Sequence, residues 1–364
     1  MANLVALEMP IGEPLVQAIK SCAQAGEAFC VIDPSTPPRR RAELLSTLKP
    51  TVVQDSSGHR EPHSGEPVDD GDGAVVITSG SSGSPKAAVL TWDALVASAR
   101  LTTEALRRDG DQVWLAAIPA VHIGGLAVIL RGVLGGARLI FDTSITEGPL
   151  RGATHVSLVR TQLQRFETAH FQCVLLGGGA PPKDVAANVT TTWGMTETGS
   201  GVIYDGIALP GVDLAVLDGE LLVQSPTLLR TYRDRSRPSV SHQGRDDWFP
   251  TGDAASIDDG VVTIHGRLEY VINSGGEKIW PEDLENLFVD IPGLQDVAVV
   301  GRPDQEWGQV ATVLAVTNRD AAAVLDQCRA IAREHLGRWA QPKAIEIVSS
   351  IPRTPNGKVV RSGL

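Results

Sequence analysis

Thr78-Ser-Gly-Ser-Ser-Gly-Ser-Pro-Lys86 follows directly on an apolar run, Ala74-Val-Val-Ile77. The stretch carries few bulky side chains and many backbone N–H groups. Its serines add hydroxyl donors, and Lys86 adds a positive charge. Together these suit a polyphosphate, which offers many acceptor oxygens and strong negative charge. A Walker A loop is excluded, because that pattern places Lys directly after the second glycine. Here Gly83 is followed by Ser84 and Pro85 before Lys86. A Gly-x-Ser-x-Gly nucleophile elbow fails at Ser82, since Ser84 stands where the second glycine belongs. A free Gly/Ser linker is the remaining reading of this composition. The strand-like run before the loop and the helix-like run after it weigh against that reading.

Working outward, residues 91–108 carry the helical period, with Ala94, Leu95, Ser98, Leu101 and Ala105 on one face and Thr91 as N-cap. Upstream, residues 27–55 read as strand, Pro-rich turn, helix and strand, and residues 54–73 as a surface connection. His59 and His63 stand four apart, but Pro62 and the nearby glycines argue for a solvated loop rather than a helical metal pair. Downstream, short apolar runs at 113–118, 138–141, 155–159 and 171–176 alternate with helical segments, the pattern of an α/β fold with largely parallel sheets. Residues 211–266 change texture. Asp218-Gly219 and Asp259-Gly260 each sit between strand-like runs, which predicts two hairpins in a β-rich subdomain. Beyond Gly266 a smaller unit follows: helix 282–290, strands 297–300 and 310–316, helix 320–336 and strand 344–348.

The chain has 364 residues, 42% of them hydrophobic and 21% charged, enough for about two domains with packed cores. A net charge of -11 argues against a nucleic-acid partner, whose binding rests on Lys and Arg neutralising phosphates. Cys22, Cys30, Cys173 and Cys328 are scattered, with no Cys-x-x-Cys, so no zinc ribbon or redox pair is expected and a reduced cytoplasmic setting fits. The N-terminus lacks a basic signal-peptide start, and the apolar stretch 123–134 is too short, and too broken by Arg131, to span a bilayer.

Five further stretches carry chemistry. In Trp193-Gly-Met-Thr-Glu-Thr198 the ring offers a face for a base, Thr196 a hydroxyl for a phosphate, and Glu197 a carboxylate for Mg2+. Leu175-Leu-Gly-Gly-Gly-Ala-Pro-Pro182 ends a strand in glycines, which lets a flat ligand lie against backbone. In Trp248-Phe-Pro-Thr-Gly-Asp253 the carboxylate of Asp253 is an acceptor suited to two hydroxyls. Gly266-Arg-Leu-Glu-Tyr-Val-Ile-Asn-Ser-Gly-Gly-Glu-Lys follows closely, and Pro355-Asn-Gly-Lys358 stands near the end. Taken alone, each could be a structural turn.

Taken in order, these stretches resemble the motifs of the adenylate-forming enzymes, the acyl-CoA synthetase and luciferase superfamily, across nearly the whole chain. The resemblance implies a large N-terminal α/β AMP-binding domain with a β-rich subdomain, residues 1–267. A small mobile C-terminal α+β lid would occupy residues 268–364, hinged near Glu269. It implies that Thr78, Ser79, Gly80, Ser81, Ser82 and Gly83 cradle phosphates with Lys86, and that Gly178, Gly179, Trp193, Gly194, Met195 and Thr196 form the AMP site. Asp253 would hold the ribose, Arg267 the ribose or phosphate, and Glu197 the Mg2+; Gly275 and Gly276 would line the pantetheine tunnel. Lys358 would be the adenylation lysine, making Lys358, Glu197 and Lys86 the catalytic set.

Within the superfamily the chain resembles the short bacterial o-succinylbenzoate–CoA ligases of menaquinone biosynthesis. Only 77 residues precede the phosphate loop. Pro119-Ala-Val-His-Ile-Gly-Gly-Leu126 is similar to their Pro-x-x-His-x-x-Gly-Leu segment, which would put His122 at the acyl pocket. The residues after Glu197, through Leu209-Pro-Gly-Val212, are similar too. Arg160 and Ser200 join His122 as candidate donors to a second carboxylate of the substrate. The sequence departs from the pattern at Ala87, where Gly is usual, at Glu269, where Asp is common, and at Arg160, where a neutral residue is expected. The implied activity is an AMP-forming acid–CoA ligase using ATP, CoA and Mg2+, with small-molecule partners, no nucleic acid, no membrane span and room for a homodimer. The alternatives are another aryl- or acyl-CoA ligase, a carrier-loading adenylation enzyme, or a silent nucleotide-binding protein. Retention of Lys86, Glu197, Asp253 and Lys358 weighs against the last.

Overall fold

The computed structural model describes residues 1–78, 86–107, 110–141, 144–182, 184–353, 359–361 and 363–364. Ser79, Gly80, Ser81, Ser82, Gly83 and Lys358, all named above, lie outside the described residues. The chain forms two compact units, residues 1–213 with 224–249, and residues 214–223 with 250–364. The division falls inside the strand Arg245–Asp258, ahead of Glu269.

The first unit holds two sheets. In one, Leu4–Glu8 pairs in parallel with Ala28–Ile32 and Val52–Asp55. Its residues Leu4, Val5, Ala6 and Leu7 are all buried, as a strand covered on both faces requires. Asp72–Thr78 joins this sheet, followed by the antiparallel strand Lys86–Thr91 and the short Thr231–Tyr232 at the edge. In the other sheet, Arg138–Ile140, Val113–Leu115, His155–Val159, Cys173–Gly177 and Val189–Met195 run parallel, and Ser200–Tyr204 returns antiparallel. Helices Glu13–Ala25, Trp92–Ala105 and Ile123–Val133 pack against these strands. Thr91 caps its helix as expected, its hydroxyl accepting from Ala94 N at 3.1 Å. Arg131 is itself buried, its guanidinium 4.3 Å from the Trp114 ring.

Two readings change. The connection 54–73 contains a strand, Arg60–Pro62, paired with Val52–Asp55. His59 stays exposed, but His63 is tied to the sheet by a 3.1 Å contact from its Nδ1 to Pro50 O. The run after Lys86 is also a strand, not only a lead into the helix, because Ala87, Ala88, Val89 and Leu90 bury both faces.

The second unit is antiparallel at its centre. Leu294–Asp304 pairs with Gly308–Thr317, and Ala344–Ile347 lies parallel to the latter. Helices Pro281–Phe288 and Ala321–His335 bury Leu284, Phe288, Val324 and Cys328 against this sheet. Asp320 caps the longer helix, its carboxylate accepting from Ala323 N at 2.9 Å. The Asp259-Gly260 turn has φ 50° and 81°, the left-handed pair that a two-residue hairpin demands. Asp218-Gly219 repeats it at 53° and 87°.

Candidate adenylation site

Strands Asp72–Thr78 and Lys86–Thr91 pair with Thr78 opposite Lys86, so both ends of the phosphate-type loop are fixed by one ladder. The Lys86 ammonium lies 4.9 Å from the centre of the Tyr232 ring, a cation–π contact. Tyr232 is brought there because Thr231–Tyr232 pairs with Val89 and Ala88. The same Tyr232 donates its hydroxyl proton to Glu197 Oε1 at 2.9 Å. Lys86 and Glu197, far apart in sequence, are thus joined through one aromatic side chain. The sequence reading missed Tyr232, since a two-residue edge strand has no periodicity to detect.

Glu197 is buried and sits in a single 3-10 turn, Thr196–Thr198. Its backbone is held on both sides: Leu229 N donates to Glu197 O at 2.7 Å, and Ser98 Oγ donates to Gly199 O at 3.0 Å. Thr198 Oγ accepts from Met195 N at 2.9 Å and donates to Ser200 O at 2.7 Å. The carboxylate is therefore presented by a rigid turn. Among the described residues no cluster of three metal-ligating side chains exists. One buried carboxylate without companions fits Mg2+ held jointly with phosphate oxygens, and does not fit an all-protein metal cage.

Trp193 and Gly194 lie on Val189–Met195, at a register shift against Ser200–Tyr204. A Cβ at Gly194 would collide with Ser200 O, so glycine is required there. Gly178, just past the strand Cys173–Gly177, takes φ 86°. A Cβ on Gly179 would meet nothing within 4 Å, so that backbone is open to a flat ligand. Arg160 opens a short helix, Arg160–Leu163, and its Nη1 reaches Ala180 O at 3.5 Å, in the same glycine loop. Ser200 is buried. His122 precedes the helix Ile123–Val133 and is half-buried. Burial lowers its pKa, which keeps the imidazole neutral at neutral pH, with one N–H to donate.

In the second unit, Asp253 and Arg267 face each other across the antiparallel pair Arg245–Asp258 and Val261–Arg267. Arg267 Nε lies 3.1 Å from Asp253 Oδ1, and its Nη1 donates to Thr251 O at 2.7 Å. Thr251 Oγ in turn accepts from Asp253 N at 3.1 Å and donates to Leu221 O at 2.8 Å. The Asp253 carboxylate is thus pre-positioned. Glu269 is exposed in the 3-10 turn Leu268–Tyr270 that ends this hairpin. Gly275 and Gly276, with φ 61° and 92°, form the two-residue turn between Ile272–Ser274 and Glu277–Ile279. A Cβ at Gly275 would strike the Trp307 indole.

No helix among the described residues is long and apolar enough to cross a membrane. Residues 50–233 match the AMP-binding enzyme family, and residues 283–358 match the AMP-binding enzyme C-terminal domain. A Mycobacterium tuberculosis protein named probable 2-succinylbenzoate–CoA ligase is 34% identical over 331 residues, covering 82% of this chain and 85% of that protein. The o-succinylbenzoate CoA synthetase (MenE) of Bacillus subtilis shares the fold. Its complex with the acyl-adenylate OSB-AMP superposes with TM-score 0.82 at 22% identity, over 99% of this chain and 87% of that one. Its complex with ATP and magnesium ion gives 0.83 at 21%, over 100% and 89%. With the Thr78–Lys86 pairing, the buried Glu197 turn and the Asp253–Arg267 pair in one chain, these likenesses have one reading: the chain belongs to the AMP-binding enzyme family and is an adenylate-forming ligase.

Proposed function

We propose that the chain is an o-succinylbenzoate–CoA ligase of menaquinone biosynthesis, using ATP and CoA. The observation that carries the catalytic half of this reading is the Lys86–Tyr232–Glu197 connection. It puts a cation and a buried carboxylate at one place, with Thr78 paired to Lys86 on the same ladder. The substrate half is supported by the likeness to the named ligases.

In the first step a substrate carboxylate oxygen attacks the α-phosphorus of ATP. A P–O bond breaks, pyrophosphate leaves, and an acyl-adenylate remains. In the second step the CoA sulfur attacks the acyl carbon, AMP leaves with the bonding electrons, and the thiol proton passes to solvent. Glu197 would hold Mg2+, which when bound neutralises phosphate charge. Thr78 and residues 79–83 would donate to the phosphates, and Lys86 and Lys358 would offset charge in the first step. Gly178, Gly179, Trp193, Gly194, Met195 and Thr196 would contain the adenine and α-phosphate. Asp253 would accept from the ribose hydroxyls, oriented by Arg267. His122, Arg160 and Ser200 would meet the carboxylate that is not activated. Gly275 and Gly276 would flank the pantetheine arm, and residues 268–364 would act as a lid turning at Glu269.

A cytoplasmic setting belongs to this reading and is supported by four buried cysteines that form no disulfide. Self-association into a homodimer is a further element, checked by sedimentation. The test of the whole is a carboxylate panel with ATP and CoA, each thioester product read by mass. Preference for o-succinylbenzoate supports the proposal. Preference for a monocarboxylate moves the chain to another acyl-CoA ligase, and adenylate without thioester points to carrier loading.

A further inference from the structure

Inside the strand Arg245–Asp258, Gly252 takes φ 73°, a left-handed conformation that other residues rarely adopt. A Cβ there would also stand 3.0 Å from Arg267 Nη1. The backbone of Thr251-Gly252-Asp253 thus leaves the regular pleat just ahead of the Asp253 carboxylate. The Gly252 N–H is met by a side chain: it donates to Glu220 Oε1 at 2.8 Å, across 32 residues of sequence. A carboxylate accepting a backbone N–H makes one of the stronger hydrogen bonds.

Glu220 opens the strand Glu220–Gln224, the neighbour of Arg245–Asp258 in its sheet. This strand ties the bend twice. Leu221 O accepts the Thr251 hydroxyl at 2.8 Å, and Glu220 accepts the Gly252 N–H. The turn ahead of Glu220 is anchored as well, since Ala255 N donates to Gly219 O at 3.1 Å. From the other side Arg267 holds Thr251 O and Asp253 Oδ1. Asp253 follows directly on Gly252, so the direction of its side chain depends on the Gly252 torsions, and Glu220 is the tie on Gly252 itself.

We propose that Glu220 is a positioning residue for nucleotide binding: through Gly252 it aims the Asp253 carboxylate at the two ribose hydroxyls. The inference rests on the ligase reading above, which assigns the ribose to Asp253. Glu220 touches no substrate in this scheme. Its effect is therefore confined to the part of the nucleotide affinity that comes from the hydroxyls.

The test uses the whole chain with Mg2+ and measures binding by calorimetry for ATP and for 2′,3′-dideoxy-ATP, which lacks both hydroxyls. Wild type should prefer ATP by about tenfold or more, as hydrogen bonds to a carboxylate imply. Glu220→Ala should weaken ATP about tenfold and the dideoxy nucleotide by less than about threefold, so most of the preference disappears. Glu220→Gln keeps an oxygen acceptor of the same reach and should retain the preference within about threefold. A mere brace for the hairpin would weaken both nucleotides alike. Equal weakening by Glu220→Ala, or none, overturns the inference, as does loss of the preference in the Gln variant. Should Glu220→Ala fail to fold, Glu220→Asp, one methylene short of Gly252 N, decides by the same ratio. A wild type that binds both nucleotides equally takes the ribose away from Asp253 and overturns the inference too. A wild type that forms no thioester from any acid sinks the ligase reading itself, whereas an active ligase whose Glu220→Ala variant keeps the preference sinks this inference alone.

Discussion

The Tyr232 hydroxyl donates to Glu197 Oε1 at 2.9 Å, between two buried residues. A buried carboxylate that lacks donors is costly, and hydrogen bonds to charged groups are worth about 1.5–3 kcal/mol. Tyr232 thus holds Glu197 in one orientation while its ring face serves Lys86.

Tyr232→Phe separates these roles, because it keeps the ring and deletes the hydroxyl. Exchange should slow about tenfold and need more Mg2+ for half-saturation, since Glu197 loses its orienting donor. A Mg2+ titration of ATP–pyrophosphate exchange reads this directly. An unchanged midpoint, with only thermal stability reduced, would show that Tyr232 supports the fold and not the metal site. Glu197→Gln should go further and abolish exchange at any Mg2+ level.

Arg160 supplies a second prediction. Its guanidinium reaches the glycine loop at Ala180 O, beside Gly178 and Gly179. A dianionic acid needs a donor for its second carboxylate, and Arg offers a paired fork for it. Arg160→Ala should raise KM for the acid about tenfold or more and leave KM for ATP nearly unchanged. Equal effects on both constants would place Arg160 as a brace for the loop.

Much of this was legible because it is local. The Asp-Gly turns and the Thr91 cap each need only a few neighbouring residues to be read. Tyr232 and Glu220 were not legible. Each acts through a partner brought close by strand pairing, 35 residues away for Glu197 and 32 for Gly252. The strand Lys86–Thr91 was hidden for another reason: two alanines, a valine and a leucine suit strand and helix alike.

The helix Pro281–Phe288 gives a pH prediction. Burial pushes the Glu285 carboxyl up to about 7, against the opposing pull of Arg361, and pushes Asp283 up to about 7 beside Glu282. Both ordinary values lie near 4, so between about pH 4.5 and 7 the folded chain retains protons that the unfolded chain has released. Stability should therefore fall as pH rises through that window, reaching its full loss above about pH 7. Glu285→Gln keeps an acceptor for Val299 N and Arg361 but cannot ionise, so its stability should vary less with pH across the window. Urea midpoints at several pH values compare the two slopes; parallel slopes would remove Glu285 as a source of the dependence.

The last prediction concerns alternation between two half-reactions. In the proposed scheme Lys358 would neutralise charge that develops as the carboxylate attacks, and losing one such contact costs about 10²–10³ in rate. The thioester step makes no such demand, because the adenylate already exists and the thiol needs access instead. Lys358→Ala should therefore cripple exchange and largely spare thioester formation from supplied acyl-adenylate. Glu269→Pro should show the opposite bias. A proline suits the first turn of a short helix such as Leu268–Tyr270, but its fixed φ resists any rotation there. If both variants lose the two half-reactions in equal proportion, the lysine and the turn do not serve separate steps, and a lid that turns at Glu269 is excluded.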